Sequence, residues 1–112
     1  MELRELQQQV DQWVSQFAEG YWHPLAQMTK LTEEVGELAR EINHVYGEKP
    51  KKPDEPPGSI ALEIGDILFV LGCFANSLGI DLEKAFTDVL EKYRVRDAER
   101  WTPLPKSENE NS

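Results

Sequence analysis

Leu3, Leu6, Val10, Val14 and Phe17 recur at steps of three and four, with Trp13 beside them. That is the period of an amphipathic helix, and it predicts a first helix ending near Gly20. Tyr21-Trp22-His23 forms a short connector. Pro24 suits the first position of a second helix, where its missing N–H would have no partner anyway. Met28, Leu31, Val35, Leu38, Ile42 and Val45 then make an unbroken apolar stripe that Gly47 stops. Residues 48–58 hold four of the seven prolines and predict a solvated, mobile loop. A third helix is expected from about Ser59 to Leu78. Its centre, Ile67-Leu68-Phe69-Val70-Leu71, is apolar on every side, the mark of a helix buried all round. Gly79 suits its stop. Asp81 can cap a fourth helix with Leu82, Phe86, Val89, Leu90 and Tyr93 on its inner face, ending around Trp101. No strand pattern occurs. The reading is all-α, four helices in one domain over residues 1–101, with a disordered tail over 102–112.

A chain of 112 residues buries only a modest core, so self-association is expected to cover more. Ile60, Ile64, Leu68, Phe69 and Leu71 cannot all be shielded by three helices of the same short chain. The formal net charge of −9 excludes sequence-independent binding to nucleic acid, which needs a basic patch. An acidic protein that handles phosphates therefore needs metal ions or a local basic cluster. The single cysteine, Cys73, permits no intrachain disulfide. The amino terminus lacks a basic segment followed by an apolar run, and the apolar stretch from Ile64 to Ala75 is too short to span a bilayer and contains Asp66. A cytoplasmic protein with no membrane partner is the expectation.

Charge placement on the helices changes the picture. At about 100° per residue, Glu34, Glu37 and Glu41, with Lys30, form an acidic strip at the edge of the second helix's apolar stripe. A solvated face explains Glu-Glu-x-x-Glu equally well. Glu63 and Asp66, however, are also three apart and are the only acidic residues between Ser59 and Leu78. Buried carboxylates need a cation or a metal, and a salt bridge to a basic side chain is the plain alternative. If the second and third helices pack antiparallel, the two pairs face one another. Four carboxylates without histidine or cysteine describe a hard site suited to Mg, with Mn able to substitute, and not to zinc. Lys92, Arg96 and Arg100 make a short basic stripe on the fourth helix. Either they pair with Asp88, Asp97 or Glu99, or Lys92 and Arg96 grip phosphates beyond the metal. In the connector, Trp22 and His23 could serve a nucleobase, whereas the helical spacing of Trp13 favours packing.

Leu31-Thr32-Glu33-Glu34-Val35-Gly36-Glu37-Leu38 followed by Glu63-Ile64-Gly65-Asp66-Ile67-Leu68 resembles the Glu-Glu-x-x-Glu and Glu-x-x-Asp signature of the MazG-like nucleotide pyrophosphohydrolases. Lys92-Tyr93-Arg94-Val95-Arg96 in the next helix fits as well, and the resemblance extends from about Val10 to Trp101. The connector Gly20-Tyr21-Trp22-His23-Pro24 is similar to that of the short single-domain YpjD type. The resemblance implies a four-helix MazG-like bundle completed by oligomerisation into a homodimer or homotetramer. It implies Mg held by Glu34, Glu37, Glu63 and Asp66, with Glu33 a weaker candidate beside the catalytic Glu34 and Glu37. It further implies hydrolysis of nucleoside triphosphates between the α and β phosphates by a metal-oriented water, with noncanonical nucleotides as one class of substrate. Lys92, Arg96 and Lys30 would be the phosphate contacts. The rival reading is a non-catalytic helical protein that binds a divalent metal or a nucleotide.

Overall fold

The computed structural model describes residues 1–47, 52–54 and 58–105, so the loop expected over 48–58 and the tail expected from Thr102 lie largely outside the described residues. Four helices occur in order: α1 (Leu3–Val14), α2 (Pro24–Tyr46), α3 (Ile60–Leu78) and α4 (Leu82–Arg96). Among the described residues there is no strand. Local chemistry sets the boundaries. Pro24 opens α2 while His23 Nδ1 accepts the Leu25 N–H at 3.1 Å. Ser59 Oγ accepts the Leu62 N–H at 3.1 Å to start α3. Asp81 Oδ1 accepts the N–H groups of Glu83 and Lys84 at the head of α4. These side-chain acceptors satisfy amide groups that the helix leaves without partners. Gly79 ends α3 at φ 69°, a left-handed conformation that a side chain would strain.

Two helices are shorter than the periodicity implies. α1 stops at Val14, and the chain continues in turns in which the Gln16 and Phe17 N–H groups reach back three residues, to Trp13 and Val14. Trp13 and Phe17 still meet edge to face at 5.3 Å, so the four-residue step survives the change of backbone. α4 stops at Arg96 because Asp97 turns out of the helix, its carboxylate gathering Arg96 and Arg100.

α3 is the helix on which α1 and α2 both pack, whereas α4 packs mainly on α1. α2 runs antiparallel to α3: Gln27 bonds Ser77 at one end, and Glu34 lies near Glu63 at the other. α1 is also antiparallel to α3, with Gln7 on Asn76 and Val10 against Gly72. Gln7 ties three segments together. Its amide donates to Asn76 Oδ1 (2.9 Å) and the Ile80 carbonyl (2.8 Å), and its own oxygen accepts the Leu82 N–H at 2.8 Å. Asn76 in turn donates to the Tyr21 hydroxyl, which donates to Asp11 at 2.7 Å. Burial and the Asp11 contact push the Tyr21 hydroxyl up to about 12, so it stays a donor across the physiological range.

The burial pattern departs from the sequence reading. α3 is not buried all round: Ile64, Leu68, Phe69 and Leu71 are all partly open, and among the described residues only Val10, Val70 and Ala75 form a buried apolar core. On α2 the residues turned most deeply against α3 are Gln27 and Glu34, while the apolar stripe of Met28, Val35 and Ile42 lies on an open flank. α4 has no buried residue at all. α3 is also long and apolar enough to cross a membrane by length and composition, because the helix extends beyond the run from Ile64 to Ala75.

The α1–α3 contact is close. A Cβ on Gly72 would stand 2.9 Å from Val10 Cγ2 and 3.2 Å from Leu6 Cδ2, whereas one on Gly36 would meet nothing within 4 Å. Ala at either site gains the same helix propensity, so the difference between the two variants isolates the packing cost. Gly72→Ala is expected to be less stable than Gly36→Ala by about 1–3 kcal/mol in urea unfolding. Equal stabilities would show that α1 is free to shift away from α3.

Candidate metal centre

Gln27, Glu34 and Glu41 recur at seven residues, about two turns, so all three point from α2 towards α3. Antiparallel packing then carries the first turn of α3 to the middle of α2. Glu34, Glu37 and Glu63 each offer a carboxylate oxygen, and these oxygens lie within 4.8 Å of one another. Glu34 is only 4% exposed. Lys30, one turn earlier on α2, places Nζ 2.9 Å from Glu34 Oε1. The other oxygen, Glu34 Oε2, and Glu63 Oε2 are buried without a hydrogen-bond partner.

The electrostatics follow from this crowding. Glu63 is raised above its ordinary value by burial, and then by the negative charges of Glu37, Asp66 and Glu34. Glu34 moves the other way, chiefly because the Lys30 ammonium holds its ionised form, and against the cost of its burial. Lys30 is raised by the same contact. The Lys30 ammonium thus holds Glu34 ionised, while the charges that raise Glu63 are negative.

A divalent cation fits this donor set. Three hard oxygen ligands converge, two buried oxygens lack partners, and neither histidine nor cysteine is among them. Asp66 stands outside the converging group, exposed one turn along α3, with its charge acting on Glu63. Glu33 is exposed on α2, and its charge acts on Lys30. Lys92 and Arg96 are engaged on α4 itself. Arg96 makes two bonds to Asp97, at 3.0 and 2.9 Å, and both cations lie over the Tyr93 ring.

Beside the carboxylates opens a largely apolar cleft of about 360 Å³, lined among others by Trp13, Phe17, Trp22, Phe69 and Cys73, with Glu19, Tyr21, Gln27 and Lys30 as polar residues. Burial raises the Cys73 thiol, which leaves it a small apolar packing group. Trp22 reaches this cleft, and His23 caps α2 instead. Sequence reasoning passed over Gln27, which is 4% exposed and bonds the Trp22 carbonyl at 2.6 Å, fixing the connector at the cleft's edge. Its two-turn spacing from Glu34 was the available signal.

Residues 23–101 match the model of the MazG nucleotide pyrophosphohydrolase domain. The chain belongs to the MazG nucleotide pyrophosphohydrolases. Protein YpjD of Bacillus subtilis strain 168 is 57% identical over 100 residues, which cover 89% of this chain and 90% of that one. The crystal structure of Bacillus subtilis YpjD, a proposed pyrophosphatase, superposes with a TM-score of 0.75 at 56% identity, over 83% of this chain and 95% of that chain. A Bacillus-conserved MazG protein, a nucleotide pyrophosphohydrolase, superposes with a TM-score of 0.73 at 43% identity, over 97% of this chain and 96% of that chain. This MazG chain is therefore a nucleotide pyrophosphohydrolase, and it carries a cluster of carboxylates whose donor set a divalent metal fits.

The raised Glu63 has a consequence for stability. A carboxyl whose folded-state value lies above its unfolded one opposes folding when ionised, and this opposition fades as pH falls through the raised value. In metal-free buffer, Glu63→Gln is expected to be more stable than the parent at neutral pH. That advantage should shrink as pH falls towards the ordinary carboxylate range. Denaturant unfolding at several pH values reads the difference, and an advantage that does not change with pH would contradict the assignment.

Proposed function

We propose that this enzyme holds Mg on Glu34, Glu37, Glu63 and Asp66 and hydrolyses nucleoside triphosphates between the α and β phosphates, giving a monophosphate and pyrophosphate. Mn would substitute. The observation that carries the reading is the convergence of three carboxylate oxygens within 4.8 Å, with two buried oxygens unpartnered. Asp66 joins as the fourth ligand by a change of side-chain rotamer, being one helical turn from Glu63. The bound metal neutralises phosphate charge and supplies an activated water. Glu34, set deep by α2, fixes where the phosphates stop. Glu37, at the exposed rim, faces the incoming phosphates, and Glu33 behind it adds negative field that keeps Lys30 on this side of the helix. Lys30 is a phosphate contact. Trp22 and Trp13 enclose the base in the adjoining cleft, which Gln27 shapes. Noncanonical nucleotides are the proposed substrates, in the cytoplasm, and the net charge of −9 keeps nucleic acid off.

Lys92 and Arg96 enter this scheme through a second copy of the chain. What supports this is the packing: α4 lies on α1, and its apolar side chains, among them Phe86 (55% exposed), Leu90 and Tyr93, are open. So are Met28, Val35 and Ile42 on α2 and Ile64 and Leu68 on α3. Apolar faces this extensive on a short chain are those of an obligate oligomer. A homodimer or homotetramer places one chain's α4 over the other chain's carboxylates.

The direct test is a panel of triphosphates with and without Mg, read by pyrophosphate release. Glu37→Gln should abolish turnover and keep the helical signal, and full turnover at saturating Mg would remove Glu37 from the ligand set. Lys92→Met and Arg96→Met should each lower kcat/KM roughly ten- to hundredfold, the equivalent of one charge-assisted phosphate contact of about 1.5–3 kcal/mol. Arg100→Met should be nearly silent, and equal kinetics for all three variants would make the stripe a solvated face. Subunit mixing then tests sharing. Random co-assembly of equal amounts of inactive Glu37→Gln chains and impaired Lys92→Met chains should restore about a quarter of the parent's activity if each site draws on two chains of a dimer. No recovery in demonstrably mixed oligomers would place both residues on one chain.

A further inference from the structure

Lys30 borders two places at once. Its ammonium lies 2.9 Å from Glu34 Oε1, and the residue also lines the apolar cleft. The two partners differ sharply in setting: the Lys30 side chain is 43% exposed, while that of Glu34 is 6% exposed. A flexible arm from the surface therefore reaches inward to a fixed, buried carboxylate. Glu34 Oε2 and Glu63 Oε2 remain without partners. The ammonium covers one oxygen of a cluster that has room for a cation among three carboxylates.

We propose that Lys30 is a resident counter-ion that exchanges between two partners: it neutralises Glu34 while no metal is bound, and it is released to the nucleotide when a divalent cation takes that oxygen. The proposal rests on the reading that Glu34 is a metal ligand. A lysine suits the exchange because its ammonium is a compact point charge on a four-carbon stem, able to swing without the fixed fork geometry of arginine. Glu34 sits one turn later on α2, at i+4, so the released ammonium needs only rotations about its own stem to reach the mouth of the cleft. Metal and nucleotide then assist one another. The metal frees the ammonium for phosphate, and phosphate holds the ammonium away from Glu34. Lys30 acts here as a positioning residue for the metal and as a contact for the nucleotide.

The two roles predict effects of opposite sign, which a merely structural salt bridge would not give. In the absence of nucleotide, Lys30→Met should bind Mn on the order of tenfold more tightly than the parent, read by titration calorimetry or by the electron paramagnetic resonance of free Mn. The same variant should be less stable than the parent in chelator, because Glu34 has lost the ammonium beside it, and this gap should close at saturating Mn. With Mn present, a non-hydrolysable triphosphate carrying an α,β-methylene bridge should bind on the order of tenfold more weakly to Lys30→Met than to the parent. Glu34→Gln supplies the reference. If Glu34→Gln loses Mn while Lys30→Met binds it no more tightly than the parent and keeps the same stability gap at saturating Mn, the exchange is overturned and the metal site stands. If Glu34→Gln binds Mn as the parent does, the ligand assignment fails, and the exchange with it.

Discussion

Three carboxylates that share a seam between two helices repel one another unless a cation or a proton comes among them. That constraint organises the molecule. The closest face of α2 towards α3 carries Gln27 and Glu34 where a bundle would ordinarily place leucines, and α3 answers with Ser77 at one end and Glu63 at the other. Withdrawing a carboxylate from water is costly unless a cation compensates it, and the Lys30 ammonium does so for Glu34 alone. The opposed shifts of Glu34 and Glu63 record the remainder: one is held ionised by a lysine, the other pushed towards its neutral form by burial and three negative neighbours. On the proposed reading, the repulsion that destabilises the cluster is also what draws a metal into it.

Giving the seam to carboxylates moves the apolar stripe of α2 to a flank, and α4 finds cover only on α1. What holds the chain together in the meantime is polar as much as apolar. Gln7 bonds α3, the turn after it and the first amide of α4, while Tyr21 links the connector to α1 and α3. The small core of Val10, Val70 and Ala75 relies on Gly72 to let α1 approach. On the proposed reading, the open flanks are the surfaces of a second copy, and catalysis and assembly share one cause.

Much of this was legible in the sequence. Pro24, Ser59, Gly79 and Asp81 mark boundaries because each solves a local backbone problem that does not depend on the rest of the fold. The three-residue steps Glu34–Glu37 and Glu63–Asp66 were legible for the same reason: helical geometry alone puts each pair on one face. What periodicity could not supply was which face turns inward. An apolar stripe points to a buried side, but not to whether its own chain or another copy buries it, and Met28, Val35 and Ile42 lie open on this chain. The ends of α1 and α4 were overextended because Phe17 and Arg100 keep helical spacing while the backbone tightens into turns. Gln7 and Asn76 carry no pattern at all, since a hydrogen bond across 69 residues is set by tertiary packing.

The proposed stabilisation of the seam by a divalent cation is tested most directly by the unfolding free energy as a function of free Mg. Ligand binding to the folded state alone adds stability of about 1.4 kcal/mol for each tenfold rise in free metal above the dissociation constant. That rise is expected for the parent, and a flat dependence when Glu34 and Glu37 are both replaced by glutamine. A parent whose stability does not change with Mg through the millimolar range would contradict it.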